Sequence, residues 1–261
     1  MHQVKKILPV LGLLYCSSFV YGQNDSAEWI SLFNGRNLEN WVPKFTGHEL
    51  GVNYRDTFKV EDGVIIVSYA NWPDFNGEFG HLFYDSVFSH YRLRVEYRFV
   101  GEQVNNGPGW AYRNNGIMLH GQAPESMTLE QEFPASIEVQ LLGGNGSDPR
   151  ATANVCSPGT NYVMNGGLIT QHCVNSSSAT YHGDQWVTVE VEVRGDELLR
   201  HSVNGEVVFE YSATQLDERD PDAQRLIGQG QAIAVQEGTI SIQAESHPTE
   251  FRKIELLRLA P

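Results

Sequence analysis

The most constraining feature of this chain is strict alternation of apolar and polar residues over short runs. In Arg92-Leu93-Arg94-Val95-Glu96-Tyr97-Arg98-Phe99 the set Leu93, Val95, Tyr97 and Phe99 falls on one side, and Arg92, Arg94, Glu96 and Arg98 fall on the other. A period of two is the strand period, in which successive side chains point to opposite faces. The pattern predicts strands over residues 91–100 and 186–194, with a last strand over residues 251–259. Asp62-Gly63 and Asn204-Gly205 sit between shorter strand-like runs and predict two-residue hairpin turns, which need positive φ. Helical signal is confined to Asp220-Pro221-Asp222-Ala223-Gln224-Arg225-Leu226-Ile227, with an N-cap Asp and Pro at the first helical position. No internal repeat, low-complexity tract or linker interrupts the pattern. The expectation is one all-β domain, an antiparallel sandwich of two sheets with one short helix.

The ends and cysteines set the compartment. Lys5 and Lys6 precede an apolar run from Ile7 through Leu14 and a small-residue ending at Gly22. This reads as a signal peptide over residues 1–22, leaving residues 23–261 as the single domain of an exported, periplasmic or extracellular protein. The apolar run is too short for a membrane span, and none follows it. Lipoprotein anchoring at Cys16 is not expected, because bulky Tyr15 precedes it. Removing two lysines moves the formal net charge from −14 to −16, which repels phosphate backbones and argues against nucleic acid as a partner. Cys156 and Cys173 then remain, and an oxidising compartment predicts a disulfide between them.

Candidate chemistry lies on polar strand faces. Ile137-Glu138-Val139-Gln140-Leu141 sends the carboxylate of Glu138 and the amide of Gln140 away from the core. The runs from Arg113 to Gly121 and from Thr239 to His247 carry similar mixtures, with Asn115 and His120 in the first and Glu245 and His247 in the second. If these strands share a sheet, their polar faces form a groove. Trp110 and Tyr112, beside a Gly-rich loop, are the best candidates among the aromatic residues to stack on a ligand, although aromatics in such folds usually fill the core. Glu96 and Arg98 are weighed between a ligand-facing role and a solvated ion-pair face. No His-Glu-x-x-His, Gly-x-Ser-x-Gly or phosphate-loop element occurs. No cofactor is expected, with a calcium ion near Asp148 left open for want of a ligand series.

Several segments carry a family resemblance. Leu32-Phe33-Asn34-Gly35-Arg36-Asn37-Leu38-Glu39-Asn40-Trp41, Phe58-Lys59-Val60-Glu61-Asp62-Gly63, Asn115-Gly116-Ile117, Glu138-Val139-Gln140, Val203-Asn204-Gly205 and Phe251-Arg252-Lys253-Ile254-Glu255-Leu256 occur in that order. In them the chain resembles the 3-keto-disaccharide hydrolase family, also described as a 3-keto-glucoside-1,2-lyase and 3-keto-2-hydroxy-glucal hydratase domain. The resemblance implies a concanavalin A-like jelly roll in exported bacterial proteins that act on oxidised (3-keto) oligosaccharides or glycosides. A ketone at carbon 3 acidifies the hydrogen on carbon 2, so a base can form an enolate that expels the oxygen on carbon 1. Such chemistry needs a base, an acid and hydrogen-bond donors. Glu138, His120 and Glu245 are the candidate acids and bases, with Glu138 or His120 favoured as proton acceptor. Arg98, Arg113, Asn115 and Gln140 are the candidate donors, and Glu96, Trp110, Tyr112 and His247 complete the expected binding set. Two alternatives stay open: a conventional glycosidase using two carboxylates, and a non-catalytic carbohydrate-binding module.

Overall fold

The computed structural model describes residues 28–261, so the expected signal peptide over residues 1–22 lies outside the described residues. In chain order the strands begin β1 (Ile30–Ser31), β2 (Trp41–Phe45), β3 (Phe58–Glu61), β4 (Val64–Val67), β5 (Gly80–Phe88) and β6 (His90–Phe99). They continue β7 (Asn114–Gly121), β8 (Ile137–Leu142), β9 (Asn154–Cys156), β10 (Thr160–Met164), β11 (Gly167–Ile169) and β12 (Cys173–Val174). The last are β13 (Val187–Arg194), β14 (Leu198–Val203), β15 (Glu206–Leu216), β16 (Gly238–Ala244) and β17 (Thr249–Arg258). Among the described residues one α-helix, α1 (Pro221–Gly228), joins β15 to β16.

All strand pairings within the two sheets are antiparallel. One sheet has ten strands in the order β11-β10-β15-β14-β13-β6-β17-β4-β3, with β1 also paired to β17. The other has seven, in the order β12-β9-β8-β7-β16-β5-β2. This is a concanavalin A-like jelly-roll sandwich with one short helix. Its core lies between the sheets: Leu93, Val95, Tyr97 and Phe99 of β6 meet Val139 and Leu141 of β8, Ile117 of β7 and Ile242 of β16, all buried in a single cluster.

The local signals act as expected. Asp62 and Gly63 (φ 50° and 76°) turn β3 into β4, and Asn204 and Gly205 (φ 49° and 88°) turn β14 into β15. Asp220 caps α1, its side chain accepting hydrogen bonds from the amides of Asp222 and Ala223. Cys156 and Cys173 form a disulfide at a register pair of β9 and β12, with a Cα–Cα distance of 4.1 Å.

The outer face of the ten-stranded sheet is an ion-pair ladder. Arg92 pairs with Glu192 at 3.1 Å, Arg94 with Glu190 at 3.0 Å and Arg98 with Glu250 at 2.6 Å, all from neighbouring strands. Glu96 pairs with Arg252 and with Lys253, and the Arg98 and Arg252 guanidinium groups lie over the Trp186 ring at 4.6 and 4.5 Å. The reading of Glu96 and Arg98 as ligand-facing is therefore corrected. The alternation that buries Tyr97 turns both neighbours to the opposite side of the sandwich from Glu138.

Candidate active site

The register of the seven-stranded sheet explains which side chains gather. Gly116 on β7 stands opposite Gln140 on β8, Met118 opposite Glu138, and Ser241 on β16 opposite Met118. On the far side of β8, Glu138 stands opposite Cys156 and Gln140 opposite Asn154. Residues in register share a face. Glu138, Gln140, Asn154, Cys156 and Gln243 therefore line up across the sheet face turned away from the core. The three strands named in the sequence reading are adjacent, and a groove forms as that reading expects.

A cavity of about 340 Å³ opens over this face, lined by Trp110, Asn114, Phe133, Glu138, Gln140, Cys156, Pro158, His172, Cys173 and Glu245. Trp110 is 55 % exposed and stacks on Phe79, with centroids 5.8 Å apart, and Phe79 in turn packs on Phe133 at 4.9 Å. This aromatic wall faces a floor of carboxyl and amide groups. An apolar wall with a few placed polar groups is the usual composition of a small-molecule site.

Gly116 makes the floor possible. A Cβ at that position would lie 2.4 Å from Glu138 Oε1 and 2.7 Å from its Cγ, so the Glu138 side chain crosses β7 through the space a side chain would fill. Glu245 follows directly on β16 and is also buried. Neither glutamate forms an ion pair among the described residues, and the arginines of the sequence reading are engaged elsewhere. Arg94 and Arg98 are on the far sheet, and Arg113 binds Asp184 Oδ1 at 2.8 Å and the Gly183 carbonyl at 2.7 Å.

Two buried carboxyls facing one space raise each other's affinity for protons. Burial, and then the charge of Glu245, holds the Glu138 carboxyl well above the usual carboxylate range. Burial pushes Glu245 up to about 8, and the Arg150 guanidinium pulls it the other way. Both carboxyls thus keep their protons to higher pH than isolated glutamates do, and loss of one of the two protons leaves an acid and a base in one cavity.

Hydrogen-bonding capacity around the pair is unspent. Asn114 Oδ1, Glu245 Oε2, Ser241 Oγ and both amide atoms of Gln243 are buried without a partner among the described residues. Buried polar atoms are ordinarily paired with protein, water or ligand, so this floor has donors and acceptors free to bind a polar molecule. Asn154 Nδ2 donates to Gln140 Oε1 at 3.0 Å, which fixes the Gln140 amide and turns its N–H groups to the cavity it lines.

The remaining expected site residues divide. Asn115 points into the sandwich, where its Nδ2 donates to the Gln243 carbonyl at 2.8 Å and to Thr249 Oγ1 at 3.3 Å. Its role is to tie β7 to β16 and β17, and the cavity position belongs to Asn114. His120 lies along β7 at a second cavity of about 200 Å³, its Nε2 3.0 Å from the Gly195 carbonyl oxygen. It does not line the Glu138 cavity, and burial lowers its pKa. His247 is wedged edge-on against Tyr112 and Phe99, with centroids 5.2 and 5.6 Å apart, and burial with Arg113 and Arg150 nearby lowers it to about 4. Tyr112 and Arg113 build the wall behind the cavity, where Arg113 is held by Asp184.

The sequence reading missed Arg150, Asn114, Asn154, Phe133 and His172. Arg150 donates to the carbonyls of Tyr112, Arg113 (3.2 Å) and Gly143 (2.9 Å) through Nη1 and of Trp110 (3.3 Å) through Nη2. Its place in Asp148-Pro149-Arg150, after the Gly-rich loop, was the available signal. For metal, no cluster of three or more His, Cys, Asp or Glu able to hold an ion occurs among the described residues. No helix among them is long and apolar enough to cross a membrane.

Fold and cavity together define a jelly-roll protein with a carboxyl-lined pocket on one sheet. The chain belongs to the 3-keto-alpha-glucoside-1,2-lyase-like domain family, whose sequence profile matches residues 28–257. Among solved structures it is similar to two Parabacteroides distasonis proteins described as candidate glycosyl hydrolases. One has 15 % identity and a TM-score of 0.54, covering 89 % of this chain and 100 % of that one. The second has 17 % identity and a TM-score of 0.52, covering 90 % and 95 %. A Bacillus subtilis protein with a galectin-like fold is similar at 10 % identity and a TM-score of 0.53, covering 88 % and 94 %. These likenesses show the fold. No protein of curated function matches the chain in sequence.

Proposed function

We propose that this protein is an exported carbohydrate-active enzyme that cleaves the glycosidic bond of 3-keto-glycosides by elimination followed by hydration. The carrying observation is the Glu138–Glu245 pair: two buried carboxyls, unneutralised by ion pairs, opening on one cavity. Family membership supplies the reaction class, and the cavity supplies what that reaction needs. A carboxylate removes the carbon 2 hydrogen, the ketone oxygen takes up the negative charge, and the carbon 1–oxygen bond breaks as carbon 1 and carbon 2 become doubly bonded. The leaving oxygen takes a proton from the other carboxyl. Water then adds at carbon 1 and a proton returns to carbon 2, giving net hydrolysis. The amides of Asn114 and Gln140 line the same cavity as the pair and are suited to the enolate oxygen. Trp110 presents an exposed ring face at the mouth, suited to a sugar ring.

The test is turnover of a 3-keto-disaccharide against the same disaccharide unoxidised. Free sugar from the 3-keto form alone is expected. Fast cleavage of the unoxidised form would instead make the pair a conventional glycosidase dyad. Tight binding with no product from either would leave a binding module.

A further inference from the structure

The two glutamates do not stand in equivalent surroundings, and on the reaction proposed above the difference assigns their roles. Arg150 binds backbone carbonyls where the chain enters β7 and leaves β8, at one end of the cavity floor. Its Nη1 donates to the carbonyls of Tyr112 and Arg113, the residues leading into Asn114. Asn114 and Glu245 both line the cavity, and the register of β7 with β16, Ile117 opposite Ile242, carried on by three residues sets them against each other at that end, whereas Glu138 stands opposite Met118 and enters from β8 across Gly116. All the carbonyls that Arg150 binds are neutral, so its positive charge has no counter-ion among its hydrogen-bond partners. Glu245 is the carboxyl whose negative charge it favours. Glu138 is faced by Glu245 and by amide, sulfur and ring groups, with no cation in an ion pair among the described residues.

We infer that the pair, in its reactive, singly protonated form, is polarised: Glu245 is the carboxylate that takes the carbon 2 hydrogen, Glu138 is the carboxylic acid that protonates the leaving oxygen, and Arg150 is the positioning residue that sets this order. The proton balance closes over a full cycle. In elimination Glu245 gains the carbon 2 proton while Glu138 gives its own to the departing alcohol, so the single proton of the pair has changed sides. In hydration Glu138, now ionised, takes a proton from the attacking water, and Glu245 returns its proton to carbon 2. The second half-reaction is the first run backwards with water in place of the alcohol, and it restores the starting state.

The test separates acid from base through the leaving group. A 3-keto-glucoside of 4-nitrophenol releases a phenolate that leaves without help from an acid, whereas a 3-keto-disaccharide releases an alkoxide that needs a proton. Removal of the base, Glu245→Gln, is expected to cost about 10²-fold or more on both substrates. Removal of the acid, Glu138→Gln, is expected to cost about 10²-fold or more on the disaccharide but at least about tenfold less on the aryl substrate. The unsaturated keto sugar should accumulate with the latter variant, because hydration has lost its base. Equal losses on both substrates in Glu138→Gln, or sparing of the aryl substrate by Glu245→Gln instead, would overturn the assignment. Wild-type protein inactive on both 3-keto substrates would sink the functional reading itself, a separate result.

A second measurement keeps both carboxyls in place. Arg150→Lys and Arg150→Met are compared by the pH profile of kcat/KM on the aryl substrate. The titratable and charged groups facing Glu245 are Glu138 from β8, Arg150, Tyr69 beyond β4, His247 two residues along, and His172 across the cavity. Of these the Met variant removes one cation, so the acid limb should move to higher pH, and the Lys variant should restore it in part. An acid limb unmoved in a folded Met variant would remove Arg150 from the assignment.

Discussion

At the scale of single residues, the most exposed wager concerns an atom that Gly116 lacks. A methyl group there would collide with Glu138 Oε1 and Cγ at 2.4 and 2.7 Å, and the carboxyl would have to leave the floor. Displacing a catalytic group by about 1 Å can cost about 10²-fold, so Gly116→Ala should lose at least that in kcat/KM while keeping the wild-type circular dichroism. Near-normal turnover would show that Glu138 does not work from this position. The same burial makes the pair a stability liability as pH rises. A carboxyl with its pKa raised on folding binds more protons folded than unfolded, so its contribution is complete below the unfolded value of 4.5 and declines towards about 8 for Glu245. His81 and His201, lowered by burial to about 3 and 4, act oppositely and lose stability as pH falls below the unfolded 6.5. Between pH 6.5 and 8 the carboxyl effect stands alone. The melting temperature should fall through that window, and the fall should flatten in Glu245→Gln; a parallel decline in both proteins would refute the linkage.

At the scale of elements, alternation decided much of the outcome before any packing was known. In β8 it buries Val139 and Leu141 in the core and sends Glu138 and Gln140 to the opposite face, and the strand as found spans Ile137–Leu142. In β6 the same rule buries Tyr97 and turns Glu96 and Arg98 outward, yet alternation cannot say whether an outward face meets a ligand or solvent. That depends on which sheet the strand joins, a long-range choice. Asn115 shows the complementary limit, since a polar residue on an inward position satisfies its amide on the Gln243 carbonyl and Thr249. Arg98→Met and Glu96→Gln should accordingly leave kcat/KM within about twofold and cost on the order of 1 kcal/mol of stability, as for ion pairs on a sheet face turned to solvent. A large activity loss in a folded variant would return them to the site. The β9–β12 disulfide is a different case, because it ties the edge strand β12 to β9 where Cys156, His172 and Cys173 line the cavity. Closing a loop with a sequence separation of 17 is worth roughly 3 kcal/mol in the chain-entropy model. The Cys156→Ser/Cys173→Ser protein should melt about 6–12 °C lower at this domain size, read by calorimetry under non-reducing conditions.

At the scale of the whole molecule, the site is the product of contacts far apart in sequence. β7, β8 and β16 are neighbours in one sheet, yet Glu138 and Glu245 lie more than a hundred positions apart, and Arg150 arrives from a loop between them. Local signals exposed the hairpins, the helix cap and the disulfide, because each depends on a few adjacent residues or on compartment. They did not expose Arg150, Asn114 or His172, which matter only once the sandwich has closed. A floor assembled this way has no support of its own: its inner face is Ile117, Val139, Leu141 and Ile242, packed into the same cluster as Leu93, Val95 and Val191 of the opposite sheet. Loss of the ten-stranded sheet would strip that face of its core, and loss of the floor would do the same in return. Urea unfolding should therefore be a single cooperative transition, with far-ultraviolet circular dichroism, tryptophan fluorescence and turnover sharing one midpoint. Turnover lost well before the circular dichroism would mean that the cavity walls around Trp110 and Phe133 open independently. The acid–base floor would then be more stable than the site it serves.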